Sequence, residues 1–242
     1  YLKMIKTLQN LIFFFFLITI FSCNNSNQIT IEKINGSPNY EDAKLSLMEV
    51  DKIEDEYSFS FETNNYELGI QTSNEFNYNL ANSDKGQHIH FIVNNDPYSA
   101  HYSENFTKKI EEGDILLAFL SRSYHESVKN TEAYVFTEIG SNNEMDLSNE
   151  FLFYSRPKGK YIGEHTKKLL LDFYLINTEI SEEGNKVRAT IEDTEFIISE
   201  WAPYYIEGLP KGEITIKLEL INSKGDLIDT RFNPSIRTVI LE

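Results

Sequence analysis

Apolar and polar positions between Gly86 and Leu120 follow a pattern that returns 99 residues later. Aligned without a gap, Ile92 falls on Ile191, Asn94 on Asp193, Tyr102 on Trp201, Phe106 on Tyr205, Ile110 on Leu209, Gly113 on Gly212 and Ile115 on Ile214. A constant offset that carries apolar residues, a turn and a glycine together points to a duplicated folding unit. Within each copy the period is two. Val187, Ala189 and Ile191 alternate with Arg188, Thr190 and Glu192, and Ile214, Ile216 and Leu218 alternate with Thr215, Lys217 and Glu219, the pattern of half-buried strands.

Further segments read as strands, by alternation or by the turns that bound them: Lys44 to Val50, Glu56 to Thr63, Gln87 to Val93, Ile115 to Ser121 and Ala133 to Ile139 in the first copy. In the second copy they are Leu169 to Ile176, Lys186 to Glu192, Glu195 to Ser199, Glu213 to Leu220 and Thr238 to Leu241. Short strands spaced by turns, with no helical period after Cys23, predict an all-β chain of two tandem immunoglobulin-like β-sandwiches. The expected boundaries are 28–140 for the first sandwich, a polar acidic linker at 141–149, and 150–242 for the second.

Carrying the facing of the second copy back by 99 positions turns His88, His90 and Ile92 inward and Ile89, Phe91 and Val93 outward. It likewise turns Ile115, Leu117 and Phe119 inward, with Leu116, Ala118 and Leu120 outward. The central sheet of the first copy is then apolar on both faces, which predicts a cover, the second copy being the first candidate. The first copy also has a long polar insertion, 64–86, that the second lacks. Insertion, histidines and two-sided sheet together place the working surface on the first copy, with 151–160 of the second reaching it and the rest serving as a brace.

The N-terminus changes the address of the chain. Lys3 and Lys6 precede an apolar run, Leu11 to Phe21, too short to span a bilayer, which reads as a signal segment over residues 1–22. Ile20-Phe21-Ser22-Cys23 resembles the lipobox of bacterial lipoproteins, with Phe21 bulkier than usual. That resemblance implies cleavage before Cys23, lipidation of Cys23 and a polar tether through 23–27. The expected location is the cell envelope, outer membrane first, with the membrane as a partner through the lipid anchor. Cys23 is the only cysteine, so no intramolecular disulfide supports the fold. Of 22 basic and 38 acidic residues, removal of Lys3 and Lys6 leaves 20 against 38, a charge of −18. Such a body disfavours nucleic acid as a partner.

Three constellations carry candidate chemistry. His88 and His90 share one strand face, with His101 and His125 beyond the following turns, a set suited to copper or zinc. Gly86-x-His88-x-His90 is similar to the copper-ligand strand of copper–zinc superoxide dismutases, but the next His comes sooner, no His/Asp zinc cluster follows and the disulfide is missing. Scarce cations form the second constellation. Arg122, Tyr124 and His125 end a strand of the first copy, and Arg156 and Lys158 open the second copy. If they converge they make a site for an anionic or phosphorylated small ligand or peptide. The third, Trp201-Ala202-Pro203-Tyr204-Tyr205, reads as an aromatic plug at a sandwich end. Catalysis has little support, since a GxSxG elbow, a Ser–His–acid pattern and a phosphate loop are all missing, and no catalytic residue is assigned.

The segments DKGQHIHFIVNNDPY (84–98), LAFLSRSYHES (117–127), FLFYSRPKGKY (151–161) and YYIEGLPKGE (204–213) resemble a family of uncharacterised Bacteroidetes-type lipoproteins, some of which carry the label "phosphopeptide-binding protein". The resemblance implies a non-enzymatic envelope lipoprotein with a binding role and brings no defined active site. Copper or zinc binding by the histidines is the alternative.

Overall fold

The computed structural model describes residues 28–73, 78–140 and 145–242. The signal segment 1–22, Cys23 with its tether 23–27, and part of the 141–149 linker lie outside the described residues. Among the described residues no helix is long and apolar enough to cross a membrane.

The chain opens with β1 (Thr30–Lys33) and then builds a first sandwich. Its strands are β2 (Lys44–Ile53), β3 (Glu56–Asn64), β4 (His88–Val93), β5 (Ser99–His101), β6 (Asn105–Lys108), β7 (Ile115–Ser121) and β8 (Tyr134–Glu138). The second sandwich uses β9 (Phe151–Arg156), β10 (Lys160–Tyr161), β11 (Lys168–Ile176), β12 (Lys186–Ile191), β13 (Thr194–Ile198), β14 (Tyr204–Glu207), β15 (Gly212–Ile221) and β16 (Ser235–Leu241), with a single 3-10 turn at Gly163–Thr166. In the first unit the sheet β2-β3-β6 faces β5-β4-β7-β8. In the second, β9-β11-β14 faces β13-β12-β15-β16. The strand order is the same in both, so the duplication is one of topology: two immunoglobulin-like sandwiches.

Two strands decorate the second unit. β10 runs parallel to β16, and β1 lies antiparallel on β14, from Thr30 opposite Glu207 to Lys33 opposite Tyr204. The first sandwich therefore begins at β2, and residues 30–33, placed by the sequence in the 28–140 unit, belong to the sheet of the second. β1 covers what would otherwise be an open strand edge.

The facing expected from the 99-residue offset is inverted, and the turn after β7 shows why. The Arg122 N–H donates to the Glu126 carbonyl (2.9 Å), His125 to Arg122 (2.9 Å) and Val128 to Leu120 (2.8 Å). In the second unit Asn222 donates to Asp226 (2.9 Å), Gly225 to Asn222 (2.9 Å) and Ile228 to Leu220 (3.0 Å). The offset there is 100. Ile89 pairs with Leu120 and Val187 with Leu220, so β4 corresponds to β12 at an offset of 98. An alignment at 99 is one residue out in both strands, and a one-residue slip turns every side chain to the opposite face. Ile89, Phe91, Leu116, Ala118 and Leu120 fill the first sandwich with Phe59 and Phe61. His88, His90, Ile92, Leu117 and Phe119 point out of it.

That outer face is covered, as the two-sided apolar pattern predicted. Ile92, Ile115, Leu117 and Phe119 pack against Phe151 and Phe153 of β9 and Tyr174 and Ile176 of β11. Phe119 and Tyr174 stack at 4.5 Å. The units thus form four layers with a continuous apolar seam. Polar clamps fix the seam's register. The Asp172 carboxylate, 0% exposed, accepts from Ser127 Oγ (3.0 Å) and pairs with Lys129 Nζ (2.5 Å). Tyr174 O–H donates to the Val128 carbonyl (3.2 Å). The expected plug is Trp201, half-buried at the seam, its indole N–H on the Phe173 carbonyl (2.9 Å) and its ring edge-on to Tyr174 at 5.1 Å.

Candidate metal centre at the junction

β4 is paired on both sides and buried on both faces, so its outward His88 and His90 are held between the units and kept from solvent. The turn after β7 adds His125. His125 has the left-handed φ of +71°, where the second unit has Gly225 at +88°. A side chain in that region costs of order 1 kcal/mol or more. The first unit accepts this strain at the position that swings an imidazole toward β4.

The three rings converge. His88 Nε2 lies 3.0 Å from His90 Nε2 and 3.1 Å from His125 Nδ1, and one nitrogen from each of the three lies within 4.8 Å of the others. His88 Nδ1 is 2.8 Å from the Gly86 carbonyl, which only accepts, so Nδ1 carries the proton and Nε2 presents a lone pair. His90 Nδ1 reaches Ser155 Oγ of the second unit at 3.2 Å, and the Tyr98 hydroxyl is 3.1 Å from His125 Nδ1. Tyr98 also stacks on His90, ring centroids 3.5 Å apart.

Burial holds all three imidazoles neutral. It pushes His88 down to about 4, opposed by the Gly86 carbonyl and reinforced by Arg156 and Lys158. His90 lies well below its ordinary value through burial, then His88 and His125. His125 is lowered by burial, Arg156 and His88. Neutral rings do not have enough protons for these contacts. The single lone pair of His88 Nε2 can take one good donor, yet two nitrogens approach it. If His125 Nδ1 is bare, it accepts from Tyr98 and faces His88 with no proton between. If it carries the proton, it competes with His90 for the same lone pair and leaves Tyr98 without its acceptor. A cation at the point of convergence would satisfy all three nitrogens. Nitrogen ligands on a tetrahedral ion at 2.0–2.1 Å are about 3.3 Å apart, close to the two short separations here. The donor set, imidazole with second-nitrogen partners at Gly86 and Ser155, fits zinc or copper.

The other expected site residues divide. His101 is not part of the centre: it sits opposite Ile89 on β5, stacks on Phe106 at 3.5 Å and contacts Ser99 Oγ at 2.9 Å. Arg122 is occupied internally, paired with Glu126 (2.9 Å) and donating to the carbonyls of Pro38 and Ser127. Tyr124 is buried, its ring 4.4 Å from that of Tyr78. Both lock the turn that carries His125. Arg156 and Lys158 do cross to the centre. Lys158 Nζ lies 3.7 Å over the Tyr98 ring and donates to the Tyr98 carbonyl (2.5 Å), and the Arg156 guanidinium lies 5.2 Å from the same ring. Tyr98 and Ser155 had no distinguishing pattern in the sequence; only the packing of the two units brings them here.

The described parts of the 64–86 insertion, 64–73 and 78–86, lie against the same turn. Ser83 N–H donates to the Ser123 carbonyl (2.8 Å), Ser123 N–H to Thr72 Oγ1 (2.9 Å), and Gln87 N–H to the Ile70 carbonyl (2.6 Å). Gly86 is where this path turns into β4, with φ +85°, and a Cβ there would lie 2.3 Å from Ile70 O. We expect Gly86→Ala to destabilise by more than about 1 kcal/mol and to displace the carbonyl that orients His88. Thermal melts, with histidine resonances as the local probe, check this.

No family model matches the sequence, and no curated protein does either. Among solved structures, the fibronectin(III)-like modules of Clostridium thermocellum CbhA are similar at 11% identity over 89% of this chain and 94% of that one, with a TM-score of 0.30. The central fibronectin-III array of RIM-binding protein is similar at 8% identity over 82% and 68%, with a TM-score of 0.26.

Proposed function

We propose that this chain is a non-catalytic metal-binding lipoprotein of the bacterial envelope, taking zinc or copper at His88, His90 and His125. The observation that carries the reading is the approach of two imidazole nitrogens to one His88 lone pair at 3.0 and 3.1 Å, which neutral rings cannot satisfy with protons alone. The lipobox-like Ile20-Phe21-Ser22-Cys23 supports the envelope address. A three-nitrogen site leaves one coordination position for a further ligand. Its placement inside a rigid seam suits retention or carriage of the ion.

Zinc and copper titrations followed by thermal unfolding test this. At a free metal concentration of a hundred times Kd, stability should rise by about 2.7 kcal/mol. His90→Gln should abolish the response, whereas His101→Gln should retain it. A response that survives loss of His90, or vanishes only with His101, would sink the assignment.

A further inference from the structure

The electrostatics beside the centre are unusual for so acidic a chain. Arg156 is 8% exposed. Its Nη1 donates to the Tyr161 hydroxyl at 3.1 Å, while its Nε has no hydrogen-bond partner. Among the described residues no carboxylate pairs with it. Other buried cations are treated differently: Arg122 faces Glu126 at 2.9 Å and Lys129 faces Asp172 at 2.5 Å. Arg237 also has an Nε without a partner and, among the described residues, no paired carboxylate, but it is only half-buried and gives its Nη2 to the backbone carbonyls of Asn95 and Tyr154. A buried guanidinium without a counter-charge is costly, and removing one partner of such a pair typically costs several kcal/mol.

Arg156 also borders a cavity of about 10 Å³, room for roughly one water-sized centre. The cavity is also lined by Tyr124, His125, Tyr161, Lys168 and Leu170, and by Leu80 and Ala81 of the insertion. The wall thus joins a metal-ligand ring to an unmatched guanidinium, and Lys158 lies one aromatic ring away, over Tyr98. Three neutral imidazoles leave a bound ion its full charge, so loading the centre would place a third cation beside Arg156 and Lys158.

We propose that the junction binds its metal together with a small oxyanion, of carboxylate or phosphate type, which Arg156 forks and whose oxygen enters the cavity beside His125. Lys158 supplies the outer positive charge. The anion neutralises what the all-imidazole centre cannot, and metal and anion raise each other's affinity by the same factor. This rests on the metal reading above.

The test is zinc affinity of the full chain, measured by competition with a chromophoric chelator, in buffer with and without sulfate, and in parallel with acetate. The expected result is a rise in zinc affinity of fivefold or more with one of these anions. In Arg156→Gln, affinity in anion-free buffer should rise, because a repelling charge is gone, and should no longer respond to the anion. Arg156→Lys keeps the charge without the fork and should retain only part of the response. Zinc binding that is equal with and without anion overturns this inference and leaves the metal reading standing. No zinc binding under any condition overturns both. Should Arg156→Gln fail to fold, the comparison on the unaltered protein still decides.

Discussion

Replacing Asp172 by Ala should lower stability by about 3–5 kcal/mol, the loss expected when one member of a buried ion pair is removed. Asp172 sits on β11 of the second unit, fully buried. It holds the segment after the His125 turn through Ser127 Oγ (3.0 Å), Ser127 N–H (3.3 Å) and Lys129 Nζ (2.5 Å). Deletion leaves the 12%-exposed Lys129 ammonium uncompensated, and that residual charge dominates the cost. Asp172→Ala combined with Lys129→Met should therefore recover a large part of the loss, since an apolar pair of similar volume can replace a buried ion pair. Urea unfolding decides the matter through the midpoint, with the slope m unchanged. A loss below about 1 kcal/mol would mean that the apolar seam alone holds the units together.

The second large effect is on acid stability of the metal-free protein. His88 is pushed down to about 4 from an ordinary 6.5. Between those values the unfolded chain binds the proton and the folded chain does not, so stability falls as pH drops from 6.5 toward 4 and levels off below. His88 alone contributes about 3 kcal/mol over that window. His90 and His125, both lowered by burial, act in the same direction. The measurable quantity is the slope of unfolding free energy against pH. His88→Gln should make it shallower between pH 6.5 and 4, with His90, His125 and His101, all lowered first by burial, supplying the remaining slope. A wild-type slope no steeper than that of the variant would show that these rings are charged or solvated in the folded state.

Much of the fold was legible in the residues. The period-two runs located β2, β3, β12 and β15, where a buried face alternates with a polar one, and continuous apolar runs located β4, β7 and β11, each to within a few residues. The strand β9 escaped this reading: Phe151–Arg156 is buried on both faces and shows no alternation, and its Arg156 reads in the sequence as part of the cation cluster. β1 escaped because a four-residue strand gains its stability from β14, far along the chain.

Register was the physical limit at the site. The sequence determined that the chain is a duplicated all-β protein, that the first copy's central sheet needs a cover, and that His88 and His90 share one face. Only the tertiary structure decided which face. The hydrogen bonds of the 122–126 turn set the correspondence at 100 rather than 99, and one residue separates a histidine inside a sandwich from one at the seam. The same packing took Arg122 into a pair with Glu126, removed His101 to the stack on Phe106 and brought in Tyr98 and Ser155. Local pattern reports the faces a strand offers, whereas the contents of a junction depend on how two separately patterned bodies meet.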